Sequence, residues 1–242
     1  MSQPKTVAAI PCYNEERHIG DIVNKAKEYV DQVIVVDDGS IDKTGEVAEA
    51  RGAMVLRHKV NKGRSMAINT AFKWAKENKV QAVVLLDGDG QHEPMDIPLV
   101  LRPVVEGKVD VVVGSRFLST KNRIPRYRTV GQHVLTFVTN LSSGLKLTDC
   151  QSGFRAFSGR AVDALYFTYP RPGDVECEMQ FLMKENYLKV EEVPITVNYD
   201  DRPKRNSVIQ GVGNLFAVLR LALERRPIVR RLQKKVVCHK ER

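Results

Sequence analysis

The stretch Leu86-Asp87-Gly88-Asp89-Gly90-Gln91-His92-Glu93-Pro94 follows the apolar run Val80-Gln81-Ala82-Val83-Val84-Leu85-Leu86. The apolar run reads as a buried strand. Alternate residues of a strand share a face, so Asp87 and Asp89 are expected to point the same way from its end. Two carboxylates held together repel unless they share a proton or a cation. Hard divalent cations such as Mg²⁺ or Mn²⁺ take oxygen ligands and bridge protein carboxylates to phosphates, which suggests a metal–diphosphate site. The same string also suits a plain polar turn that closes a strand. An EF-hand calcium loop is disfavoured, because Gln91 and Pro94 break its ligand pattern.

The elements around this motif alternate. Thr6 to Ile10 reads as a strand, Glu15 to Tyr29 as a helix, and Gln32 to Val36 as a strand ending in Asp37-Asp38-Gly39-Ser40. Asp42 to Arg51 is expected to be helical, Ala53 to Arg57 a short strand and Arg64 to Glu77 a helix. Beyond the aspartates come a helix over Ile97 to Glu106 and a buried strand over Val109 to Val113. Such alternation predicts an α/β fold with a mainly parallel sheet covered on both faces. Loops at the carboxyl ends of its strands would line one crevice. Pro11 to Glu15, Asp37 to Ser40, Asp87 to Gln91 and Gly114 to Arg116 all fall there. Further on, Lys121 to Arg128 reads as a basic loop, Thr129 to Ser143 as a helix and Asp149 to Phe157 as an extended or turning segment. Glu176 to Glu185 is expected to be helical, Lys189 to Tyr199 a strand, and a last long helix begins near Ser207.

The 242 residues suffice for one full α/β core with an appended segment. Cys12, Cys150, Cys177 and Cys238 are scattered without metal-like spacing, which argues for a reducing compartment and against a disulfide framework. No signal peptide is visible, and no apolar run reaches the about 18 residues of a spanning helix. The formal charge of +9 is concentrated at one end. From Arg202 onward, a dense series of arginines and lysines is opposed only by Glu224 and Glu241. That placement favours contact with a local anionic surface over general nucleic-acid binding.

No Gly-x-Gly-x-x-Gly follows the first strand, which counts against a dinucleotide-binding dehydrogenase. Instead the chain carries Ile10-Pro11-Cys12-Tyr13-Asn14-Glu15, Val35-Val36-Asp37-Asp38-Gly39-Ser40-Ile41-Asp42-Lys43-Thr44 and Asn61-Lys62-Gly63. Asp87-Gly88-Asp89-Gly90-Gln91-His92, Val113-Gly114-Ser115-Arg116 and Ser152-Gly153-Phe154-Arg155-Ala156-Phe157 complete the set. In this order they resemble the family 2 inverting glycosyltransferases of the GT-A fold, a Rossmann-like α/β architecture, and most of all the dolichyl- or polyprenyl-phosphate sugar synthases. The resemblance covers roughly residues 5 to 205.

It implies that Pro11, Tyr13 and Glu15 hold the nucleoside and that Asp38 binds the base, unless Asp38 merely caps the turn before the next helix. Val36, Gly88 and Lys204 fall among the donor-binding positions. Asp87, Asp89 and Gln91 match the metal–diphosphate motif, with Mg²⁺ or Mn²⁺ as cofactor. Arg116 would contact phosphate. Arg128 would meet an acceptor phosphate, which a guanidinium fork suits, and Arg202 would close over the diphosphate. Asp89, Arg128 and Arg202 are the expected catalytic group. Two departures stand out. The family's Gly-x-Ser-Lys is here Arg202-Pro203-Lys204-Arg205-Asn206-Ser207-Val208, so Val208 replaces the lysine and its charge must come from Lys204 or Arg205, or be absent. Cys12 occupies a position that is often Thr, and is read as a small packed residue.

The reaction implied is transfer of a hexose, with inversion, from GDP-mannose or UDP-glucose to a dolichyl or polyprenyl phosphate. A hydroxyl acceptor would instead need a base. Glu176 and Glu178 could serve, although a solvated helix face is the plainer expectation for them. A non-catalytic nucleotide- or nucleic-acid-binding module is the third alternative, disfavoured because the basic residues lie outside the motif core, and no nucleic acid is expected as a partner. The chain divides into a catalytic domain over 1–206 and a C-terminal segment over 207–242. In the latter, Val208, Ile209, Val212, Leu215, Phe216, Leu219 and Leu223 form an apolar helical stripe, followed by basic residues. Such a segment suits either an anionic membrane surface or the enzyme's own core. The expectation is a cytoplasmic enzyme, peripheral on the cytoplasmic face of a membrane and compatible with a membrane-protein partner or homo-oligomer.

Overall fold

A computed structural model describes residues 5–120, 122, 124, 126–167, 175–198 and 220, with the backbone alone for 126–128. Its elements in chain order are β1 (Thr6–Cys12), α1 (Ile19–Ala26), β2 (Gln32–Asp37), α2 (Thr44–Ala50), β3 (Met54–Arg57), α3 (Arg64–Glu77) and β4 (Ala82–Leu85). Then follow α4 (Ile97–Val105), β5 (Val111–Ser115), α5 (Arg126–Ser143), β6 (Arg155–Ser158), α6 (Gly159–Ala164), α7 (Val175–Glu185) and β7 (Val190–Pro194). The strands form one seven-stranded sheet in the order β3-β2-β1-β4-β6-β5-β7. Every pairing is parallel except those of β6, which runs antiparallel to β4 and to β5.

The central strands are apolar without a break because both sheet faces are covered. Ile34, Val36, Val83, Leu85 and Phe157 pack with Ile68 and Phe72 of α3, Val162 of α6 and Met179 of α7. On the other face Ile10, Val35, Val84 and Ala156 meet Ile22 and Val23 of α1 and Val100 and Val104 of α4. Phe72 and Phe157 meet edge to face with ring centroids 5.1 Å apart, joining the first half of the sheet to the inserted β6.

Several boundaries differ from the sequence expectation. The helix expected from Glu15 starts at Ile19. Asn14 takes φ +58°, and side chains of the 40–44 loop capture the N–H groups of Asn14, Glu15 and Glu16. The basic loop expected to run to Arg128 stops earlier, and Arg128 falls in the first turn of α5. The strand expected over Lys189 to Tyr199 ends at Pro194, followed only by an isolated bridge between Val197 and His92. The boundary at 206/207 and the apolar stripe beyond it lie outside the described residues. Among the described residues no helix is long and apolar enough to cross a membrane.

Phe157→Ala removes a fully buried ring from the joint between the two halves. It should cost about 3–5 kcal/mol in chemical denaturation; a loss below about 1 kcal/mol would mean that the joint does not depend on this ring.

Candidate functional site

The carboxyl ends of β1, β2 and β4 meet at one edge of the sheet, where a pocket of about 300 Å³ opens. It is lined by Pro11, Cys12, Tyr13, Glu15, Asp38, Arg64, Ala67, Asp87, Gly88 and Asp89. Two loops are stitched together on one side. The backbone N–H of Asn14 donates to Ser40 Oγ (3.0 Å), that of Glu15 to Thr44 Oγ1 (2.8 Å), and that of Ile41 back to Asn14 Oδ1 (2.9 Å). These bonds fix Tyr13 and Glu15 at the rim without regular structure.

Asp37 and Asp38 divide the work. Asp37 accepts from Ser40 N (2.9 Å) and Arg57 Nε (3.1 Å), closing its own turn. Asp38 accepts from Lys62 N (2.9 Å), Gly63 N (2.8 Å) and His58 Nδ1 (2.6 Å). The carboxylate only accepts, so His58 carries its proton on Nδ1. Asp38 therefore ties down the loop that enters α3, where Gly63 at φ +89° precedes the first helical residue, Arg64. The turn before the next helix is held by Asp37, and Asp38 instead fastens the loop that precedes α3.

Arg64 is the cation of the pocket wall, and neither composition nor motif singled it out. Its Nη2 donates to Asp87 Oδ1 (2.6 Å), while Nη1 forms an ion pair with Glu176 Oε1 from α7. Gly153 lies directly against this pair. A Cβ there would sit 2.7 Å from Asp87 Oδ2 and 2.5 Å from Arg64 Nη2, so a larger residue requires the ends of these two side chains to shift. The Gly153 loop is held from below by fully buried Arg155, whose Nε donates to Ser152 O (2.8 Å) and Nη2 to Cys150 O (2.7 Å). Burial lowers the Arg155 pKa to about 10, which leaves it charged at neutral pH.

Asp87 and Asp89 lie beyond the end of β4, yet both line the pocket. Asp89 Oδ1 accepts from Gln91 N (3.0 Å), which closes the turn. His92 is buried against Phe154, with Nδ1 3.7 Å from Asp87 Oδ2. Burial lowers its pKa; Asp87 and Asp89 oppose that shift, and Arg116 and Arg64 reinforce it. Cys12 is buried and its thiol is pushed up, first by burial and then by Glu15, Asp87, Asp37 and Asp89. It packs beneath the carboxylates as a small residue.

The lining contains the carboxylates of Glu15, Asp38, Asp87 and Asp89 against one guanidinium. Oxygen-only donors of this kind fit a hard divalent cation. Among the described residues no three His, Cys, Asp or Glu side chains are grouped to hold an ion by themselves.

The other expected site residues divide between the lining and its surroundings. Arg116 forms a buried fork with Asp149, Nε to Oδ2 and Nη2 to Oδ1 both at 2.6 Å, and is not among the lining residues. The Val36 side chain is fully buried in the core. Gln91 joins the wall only through its backbone turn with Asp89, and Gly88 backs onto Cys12. Arg202 and Lys204 lie outside the described residues, and of Arg128 only the backbone is described. The expectation of a solvated face for Glu176 and Glu178 is overturned. They are 5% and 0% exposed, and Glu176 reaches Arg64 of α3. Cys150 and Cys177 looked unrelated in sequence, yet Gln151 Nε2 donates to both sulfurs, at 3.5 and 3.1 Å.

Gly153→Ala should leave the melting temperature nearly unchanged but weaken nucleoside-diphosphate binding about tenfold, measured by calorimetry with Mn²⁺. Unchanged affinity would show that the Asp87–Arg64 geometry is not needed for the ligand.

Residues 7–166 match the family model described as Glycosyl transferase family 2. An uncharacterised protein of Methanocaldococcus jannaschii is 35% identical over 226 residues, covering 90% of this chain and 93% of its own length. A UDP-N-acetylglucosamine–dolichyl-phosphate N-acetylglucosaminyltransferase of Methanococcus voltae is 34% identical, covering 79% of this chain and 85% of its own. Among solved structures, glucosyl-3-phosphoglycerate synthase from Mycobacterium tuberculosis, in complex with Mn²⁺, uridine diphosphate and phosphoglyceric acid, superposes with a TM-score of 0.71. It is 20% identical, and the match covers 90% of this chain and 78% of that one. The expected GT-A architecture is thus the observed one, and the chain belongs to glycosyl transferase family 2.

Proposed function

We propose that this glycosyltransferase moves a hexose from a nucleotide-diphosphate sugar to a dolichyl or polyprenyl phosphate, with inversion and with a divalent cation. The observation that carries the donor half is the acidic pocket wall. A diphosphate is repelled by Glu15, Asp38, Asp87 and Asp89 unless a cation enters with it. Asp87 and Asp89 would hold Mg²⁺ or Mn²⁺, which would supply charge neutralisation of the departing nucleoside diphosphate. Tyr13 and Glu15 at the rim and Asp38 behind them would cradle the nucleoside. Arg202 and Lys204 remain proposed contacts to the diphosphate.

For the acceptor, a lipid phosphate is already an anion and needs no base. Glu176 is tied to Arg64 and Glu178 is fully buried, so neither stands ready to take a proton from a hydroxyl. The relative from Methanococcus voltae and an undecaprenyl-phosphate mannosyltransferase of Micrococcus luteus, 29% identical, are both named for lipid-phosphate acceptors, which supports this reading. Arg128, in the first turn of α5, would meet the acceptor phosphate. From that end α5 runs to Ser143 without one acidic residue. Val130, Val134, Phe137 and Leu141 recur along one exposed stripe, with Phe137 and Leu141 68% and 76% exposed. An acid-free helix with an apolar face and basic residues at its start fits the surface of an anionic bilayer. The enzyme is thus read as peripheral on the cytoplasmic face, with the basic segment over 207–242 as a second contact.

The test is a panel of UDP-N-acetylglucosamine, UDP-glucose and GDP-mannose with Mg²⁺ or Mn²⁺, each offered a polyprenyl phosphate or no acceptor. One donor should give a glycosyl phospholipid, and Asp89→Asn should reduce the rate at least about a hundredfold. Turnover in Asp89→Asn at the native rate would remove this residue from the reaction. Phe137→Glu with Leu141→Glu should lower co-sedimentation with phosphatidylglycerol vesicles about tenfold while leaving nucleotide binding intact. Undiminished vesicle binding would exclude the α5 stripe as the contact.

A further inference from the structure

Arg64 occupies an unusual place for a pocket cation. One guanidinium nitrogen faces Asp87 at 2.6 Å and another faces Glu176, so the side chain bridges a carboxylate of the pocket to one of α7. Both Arg64 and Asp87 remain about 30% open at their side chains, whereas Glu176 is only 6% open. The bridge therefore has one fixed end and one end that a ligand can reach. A fork of N–H donors that binds carboxylates is equally suited to phosphate oxygens.

We propose that Arg64 is a positioning residue that pairs with Asp87 until the donor enters and is then handed to its diphosphate. This rests on the donor reading above. In the free protein Arg64 neutralises Asp87 and keeps it aimed into the pocket. A divalent cation needs that same carboxylate and so competes with Arg64. Once the cation takes Asp87, the guanidinium turns its released nitrogen to the diphosphate, and Glu176 keeps hold of the other. The exchange swaps one anion for another at Arg64 and leaves no charge on this bridge unpaired. Metal alone should accordingly bind weakly, and metal with nucleotide strongly, because only the nucleotide gives Arg64 a new partner.

Two effects of opposite sign follow, and no purely structural role for Arg64 produces both. With Arg64→Gln the competitor for Asp87 is gone, so Mn²⁺ alone should bind about threefold to tenfold more tightly, read by electron paramagnetic resonance of the free ion. UDP or GDP, titrated calorimetrically into the same protein at saturating Mn²⁺, should bind about tenfold more weakly. If Arg64→Gln does not fold, Arg64→Lys, which keeps the charge but loses the fork, carries the test with the same signs and smaller shifts. Metal and nucleotide affinities that fall together, or that both stay unchanged, overturn the exchange. Should the native protein bind neither UDP nor GDP with Mn²⁺, the donor reading itself fails. Native binding with same-sign shifts in the variants removes only the role of Arg64.

Discussion

Crowding of like charge at the carboxyl ends of three parallel strands is the constraint that the rest of the site answers. Glu15, Asp38, Asp87 and Asp89 line one pocket, and each needs a counterpart before the chain can hold them there. The answers differ in kind. Asp38 is absorbed by backbone N–H groups and His58, and so becomes part of the scaffold of α3. Asp89 turns one oxygen to the N–H of Gln91. Asp87 meets a side-chain cation, Arg64, which Asp38 itself positions through the 58–63 loop. The acids thus form a hierarchy, from one locked into the framework to one held by a half-open arginine.

Much of this was legible in the sequence because it is local. The helix Arg64 to Glu77 has the same bounds in both readings, since its apolar spacing and entering glycine are properties of neighbouring residues. The turns that carry Asp38, Asp87 and Asp89 were visible as polar clusters that close apolar strands. α1 was overextended because its N-terminal donors are captured by Ser40, Asp42 and Thr44, which no local pattern records. The direction of β6 was hidden as well, since four apolar-rich residues carry no mark of which way they run. Arg64 escaped notice because its meaning lies in Glu176, on a helix brought to it only by the fold. The same distance hid the fork between Arg116 and Asp149, where a conspicuous arginine at a strand end is occupied by a partner from another loop.

Burial explains why the second half of the chain misleads a reader of pattern. α7 carries Glu176, Glu178 and Gln180 on a buried surface, where polar residues normally signal solvent. Buried charge is costly unless it is paired. Glu176 is repaid by Arg64, and Gln180 donates to Asn140 Oδ1 (2.7 Å) and Ser143 Oγ (3.1 Å) of α5. The contact between α5 and α7 is consequently a polar one, and it leaves the opposite side of α5 with its apolar stripe uncovered.

The reversed strand β6 also dictates an order of assembly. β1, β2, β3 and β4 pair among themselves and can form a four-stranded sheet as soon as the chain has passed Leu85. β5 has no partner in that sheet, since it pairs only with β6 and β7. It must wait until the chain reaches Ser158, while β4 keeps an open edge. For that interval two apolar strands present unpaired backbone, the condition under which a nascent chain is most exposed to misassociation. When β6 arrives it closes both edges at once and brings Gly153 to Asp87 in the same movement. The lining residues all come from the first four strands and α3, but the packing of Gly153 and Glu176 around Asp87 and Arg64 comes only with closure of the sheet.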